Sequence, residues 1–99
     1  MNIGVVIQDL RKSKGLTQAE LAAKCKITQT SLSQIETGAK KPSPTTMKLI
    51  CKSLGVPEPY LHLMAIEESD VPKERKEMYK QFFPTIKTMM ENILLDKKK

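Results

Sequence analysis

Apolar residues recur along this chain in short blocks of helical period, and no stretch of useful length alternates with period two, so the pattern predicts helices and no sheet. Ile3, Ile7 and Leu10 share one face of a segment over 3–14, which ends at Lys14-Gly15 with a basic last turn and a left-handed capping glycine. Thr17 and Glu20 have capping-box spacing at the start of a second helix that runs to about Cys25, and Leu16 with Leu21 has staple spacing around that cap. Thr28 opens a third helix with Leu32 and Ile35 inward, ended at Thr37-Gly38. After the basic, proline-stopped connection Ala39-Lys40-Lys41-Pro42, Ser43 caps a fourth helix with Pro44 in its first position, where a missing N–H is harmless. Met47, Ile50, Cys51 and Leu54 form its inner stripe, and Gly55 closes it. A fifth helix is predicted over 58–67, with Pro57 and Pro59 tolerable only in its first turn.

Residues 70–96 read differently. Asp70 is placed to cap, and Met78, Phe82, Ile86, Met89 and Ile93 make one stripe at spacings of four, four, three and four that keeps phase across Pro84. Pro84 removes the bond to the carbonyl of Lys80, so a kink or restart is expected there. The expected division is therefore 1–67 as one five-helix unit and 68–99 as a helical extension with frayed last residues.

Charge changes the picture. The chain of 99 residues carries 17 Lys+Arg against 11 Asp+Glu, a formal +6. The excess is concentrated: residues 1–66 hold nine basic and four acidic groups. A small basic chain suggests a polyanion partner, most often nucleic acid. No apolar run approaches a membrane span. The first residues lack the basic and apolar regions of a secretory signal, so a cytoplasmic protein with reduced thiols is expected. Cys25 and Cys51 lack metal spacing, and His62, as the one histidine, builds neither a zinc site nor a catalytic triad. No metal, cofactor or enzymatic activity is expected.

The informative stretch is Leu16 to Pro42. The outer side of its second helix is Gln29, Thr30, Ser33 and Gln34, uncharged but rich in amides and hydroxyls. Solubility alone would favour Lys and Glu there. Glutamine reads the N6/N7 edge of adenine bidentately, and a threonine methyl packs on the thymine methyl. A helix-turn-helix sends the first residues of its second helix into the major groove.

The run LTQAELAAKCKITQTSLSQIETGAKKPSPTTMKLICKSLGV resembles the Cro/phage-repressor helix-turn-helix family, also called XRE. The resemblance covers about residues 3–66 and implies an all-α, five-helix repressor-like fold whose members bind operator DNA, usually as homodimers. Position by position it implies base reading by Gln29, Thr30, Ser33 and Gln34. It implies backbone contacts from Thr17, Gln18, Thr28, Lys40 and Lys41, with Gln18 also bracing Gln29. It further implies a structural ion pair between Arg11 and Glu36.

The chain departs from the family pattern in three respects. Lys26 stands where glycine is usual in the turn. Val5, Val6 and Leu49 are apolar where polar residues are usual, and the stripe of Met78, Phe82, Ile86, Met89 and Ile93 is their expected cover. Residues 70–99 carry no family motif. The reading is a sequence-specific double-stranded DNA-binding transcriptional regulator, more often a repressor, dimerised through 68–99 with Met78, Phe82, Ile86, Met89 and Ile93 as the expected dimer interface. Rivals are an antitoxin with a cognate toxin, a restriction-modification controller of the same fold, and a protein-binding adaptor. The cysteines read as buried inert thiols, and His62 as a surface or packing residue.

Overall fold

The computed structural model describes residues 2–94, and no strand occurs among them. Five helices build the first unit: α1 (Ile3–Ser13), α2 (Gln18–Lys24), α3 (Gln29–Thr37), α4 (Pro44–Leu54) and α5 (Glu58–Met64). Two single 3₁₀ turns, Glu68–Asp70 and Lys73–Arg75, lead into α6 (Lys76–Leu94). The frayed end expected at Lys97-Lys98-Lys99 lies outside the described residues.

Local chemistry accounts for most boundaries. The Thr17 hydroxyl oxygen accepts from the Glu20 N–H at 3.1 Å while the Glu20 carboxylate accepts from the Thr17 N–H at 2.8 Å. That backbone bond, and then the hydroxyl, hold the Glu20 carboxyl below its ordinary range. Thr28 and Ser43 accept from the N–H of Ser31 and Thr46 in the same way. Gly38 (φ 87°) and Gly55 (φ 73°) end α3 and α4 in the left-handed region, where a Cβ is unfavourable. Lys26 adopts φ 59° without being glycine, so the α2–α3 turn keeps its left-handed shape at a penalty of about 1–2 kcal/mol.

Three boundaries differ from the sequence pattern. α5 stops at Met64, not 67. Asp70 caps a 3₁₀ turn instead of a long helix: its carboxylate accepts from the Glu67 N–H at 2.8 Å. α6 starts only at Lys76 and runs unbroken through Pro84. Pro84 and Lys80 are both exposed, and the helix continues through the lost bond without a restart.

The core is aliphatic. Ile7, Leu21, Leu32, Ile50, Leu54 and Leu61 are fully buried and draw on all five helices. Cys25 and Cys51 are buried free thiols, and burial pushes both thiols up. Gly4 seats α1 against the end of α3, where an added Cβ would lie within 2.7 Å of the Glu36 carbonyl oxygen and still closer to that of Ile35.

The extension corrects the expected cover. α6 packs on the core through Phe83, Met90 and Leu94, with Tyr79 stacked on Phe83 at a ring separation of 4.8 Å. Val6 is buried, and Val5 and Leu49 are half-buried, within one chain. The stripe assigned to that task stays in solvent: Met78 is 61% exposed, Phe82 51%, Ile86 43%, Met89 55% and Ile93 69%. At about 100° per residue the two sets sit roughly 90° apart around α6, so a broad apolar arc has one half docked and one half free.

Gly4→Ala should therefore force α1 off α3, because both clashing atoms are backbone. The expected loss is about 3 kcal/mol in urea unfolding, at the upper end for overpacking. An unchanged midpoint would show that the two helices are less closely seated.

Candidate nucleic-acid interface

The helix-turn-helix is held by a buried polar cluster. Arg11 is 7% exposed and Glu36 3%. Arg11 Nε donates to Glu36 Oε2 at 2.7 Å and Nη2 to Oε1 at 3.1 Å, a bidentate fork. Its remaining terminal nitrogen, Nη1, donates to the Leu16 carbonyl at 2.8 Å. Gln18 Nε2 donates to Glu36 Oε1 at 3.0 Å. Thus α1, the α1–α2 connection, the first residue of α2 and the end of α3 meet at one carboxylate and one guanidinium. No buried side-chain nitrogen or oxygen among the described residues lacks a partner.

Gln18 lies half-buried at the first position of α2, bonded to Glu36 and not to Gln29. The brace onto Gln29 implied by the family resemblance is therefore absent. The bond to Glu36 uses one of the two amide hydrogens of Gln18. On α3, Gln29, Thr30 and Gln34 are exposed and Ser33 is half-buried. Together they form one uncharged polar surface beside the exposed caps Thr17 and Thr28.

Lys40 and Lys41 are exposed in the loop after α3. The Lys40 N–H donates to the Gln34 carbonyl at 3.2 Å, and its ammonium reaches back to Ser31 Oγ at 2.8 Å. The loop is thereby drawn along the side of α3, and one cation stands next to the outward face. Ser31 was not singled out in the sequence, because no regular spacing connects residues nine apart across a loop. The cluster at Leu16, Gln18 and Glu36 is likewise invisible to spacing beyond the ion pair itself. His62 sits exposed on α5 with its Nε2 3.2 Å from a Glu58 carboxylate oxygen.

The helix-turn-helix family model matches residues 7–61, more than half of the chain. The chain belongs to the helix-turn-helix family. Its resemblance to the Cro/phage-repressor type is supported by three similar proteins. Over all 99 residues it is 29% identical to the immunity repressor protein of Bacillus phage phi105, covering 67% of that protein. A mutant of the restriction-modification controller protein C.Esp1396I superposes with a TM-score of 0.59 at 33% identity, covering 67% of this chain and 86% of that one. PlcR of Bacillus thuringiensis, solved with the peptide PapR7 and DNA, superposes with a TM-score of 0.63 at 28% identity. That match covers 90% of this chain but only 29% of PlcR. The helix-turn-helix family is one of DNA-binding transcription regulators, not of enzymes. No described helix is long and apolar enough to cross a membrane.

Removing one partner of the buried pair strands the other. Glu36→Ala should destabilise the fold by about 3–5 kcal/mol, and the double variant Arg11→Met with Glu36→Leu should recover most of that loss. Denaturant titration of the three chains checks this. Equal losses in the single and double variants would show that the cluster does not act as a unit.

Proposed function

We propose that this protein is a sequence-specific, double-stranded DNA-binding regulator of transcription, a repressor that acts as a homodimer in the cytoplasm. The observation that carries the reading is the outward side of α3. It is free of charge and built from the exposed Gln29, Thr30 and Gln34 with the half-buried Ser33, and a lysine is drawn in beside it. Gln29 and Gln34 are the candidates for adenine edges, and Thr30 and Ser33 the shorter contacts next to them. Thr17, Gln18, Thr28, Lys40 and Lys41 are assigned to phosphates, which position the domain without reading sequence. The repressor role is supported by similarity over the whole chain to a phage immunity repressor.

Dimerisation is supported by the free face of α6. A large apolar side chain left in water forfeits about 1.5–3 kcal/mol, and five are left on one helix face. Two recognition helices about 34 Å apart would then meet successive major grooves. No cofactor or metal enters the reading. A second reading, control of a restriction-modification system, is favoured by the similarity to C.Esp1396I, and the genes beside this one separate the two. An antitoxin of the same fold would keep DNA binding and add a cognate toxin as partner, whereas a protein-binding adaptor would show no duplex binding.

Selection from random duplexes should return a two-fold symmetric site. Gln29→Ala should weaken that site by about 1–3 kcal/mol and relax one base pair per half, with Gln34→Ala acting at a neighbouring pair. An unchanged motif at unchanged affinity would overturn the base-reading assignment.

Neutralising Lys40 and Lys41 together should weaken all duplexes alike and lower the log–log salt slope by about 1–2. Loss confined to the selected site would contradict the phosphate role of both.

A further inference from the structure

The free face of α6 is marked by more than its apolar residues. Every charged side chain between Lys76 and Leu94 (Lys76, Glu77, Lys80, Lys87 and Glu91) falls in one arc of the helix. The arc beyond the stripe, away from the docked side, carries Gln81, Thr85, Thr88 and Asn92, all exposed and all uncharged. Solvated helix faces normally carry Lys and Glu, whereas the centres of protein interfaces are depleted of charge. A two-fold contact adds a stricter demand, because any charge near the axis meets its own copy. The region around Ile86 meets that demand.

The stripe is also nearly the same read in either direction. Met78 and Ile93, then Phe82 and Met89, are equidistant from a point beside Ile86. At the observed exposures the five side chains offer on the order of 500 Å² per chain, and their uncharged flank extends this toward the roughly 800 Å² per partner of a standard interface. From this we infer that two copies pair through antiparallel α6 helices that cross at Ile86. Ile86 of each copy lies next to the axis, Phe82 packs on Met89 of the partner subunit, and Met78 on Ile93 of the partner subunit. The arrangement rests on the homodimer proposed above and specifies its register. It also leaves Phe83, Met90 and Leu94 on their own core, so neither chain has to open to dimerise.

Cysteine cross-linking of the full chain tests the register. Cys25 and Cys51 are buried and stay out of the exchange. Under mild oxidation, Ile86→Cys should give a disulfide-linked dimer in high yield. Met78→Cys mixed with Ile93→Cys should link as a heterodimer, at least tenfold above either variant alone. Phe82→Cys mixed with Met89→Cys tests the same register and stands in should Ile86→Cys fold poorly by circular dichroism. Light scattering of the unsubstituted chain runs alongside. A dimer in which Met78→Cys links to itself instead would establish a parallel pairing, overturning the register and leaving the homodimer intact. A dimer with no link at any of these positions would place the interface elsewhere and overturn the inference. A monomer at tens of micromolar would overturn both.

Discussion

The fork between Arg11 and Glu36 is the contact on which the recognition unit hangs. Glu36 lies near the end of α3, so the carboxylate that receives Arg11 also fixes how far α3 rotates about its own axis. Rotation decides which residues face outward. Leu32 and Ile35 fill the inner side, and the amides of Gln29 and Gln34 are left in solvent as a consequence. Gln18 bonds the same carboxylate, and Leu16 offers its carbonyl to the same guanidinium, so α2 is indexed to α3 through one polar knot. Gly4 allows the approach: without a Cβ there, the backbone of α1 reaches the carbonyls at the end of α3.

A buried ion pair contributes specificity of arrangement more than net stability, since its attraction is largely offset by desolvation. That balance suits a protein whose task depends on presenting one face of one short helix. The surrounding aliphatic core supplies the stability. With no tryptophan and only four aromatic residues in the chain, it is built mainly from interlocking Leu and Ile side chains across short helices, with Tyr60 buried among them.

Much of this was legible in the sequence wherever a residue acts on its near neighbours. The reciprocal Thr17 and Glu20 cap, Ser43 before Pro44, and the glycines at 38 and 55 are local devices, and each ends or starts a helix where the pattern says. Arg11 with Glu36 came only through family resemblance, because nothing in a separation of 25 residues identifies a pair. Spacing alone could not show that Gln18 belongs to Glu36, nor that Lys40 reaches Ser31. The misjudged element was α6. Its most regular stripe is expected both to cover Val5, Val6 and Leu49 and to pair with a second copy, and it is the first of these expectations that fails. Yet Phe83, Met90 and Leu94, a quarter-turn away, form an equally apolar set, and periodicity cannot say which half of a broad arc docks. Asp70 misled for a related reason, since an acidic residue before a proline caps a single turn as well as a long helix.

The left-handed Lys26 bears on modularity. The turn between α2 and α3 is held in a conformation its own residue disfavours, and the helices on either side are only seven and nine residues long. Segments of that length do not hold themselves together in water. Their alignment is imposed from outside, by α1 through Arg11 and by the core beneath. Residues 16–42 are thus not a cassette that can be cut out and grafted onto another scaffold with its DNA preference intact. A transplant would have to carry Arg11 and Gly4 with it, and these lie in a different helix from any residue assigned to the DNA.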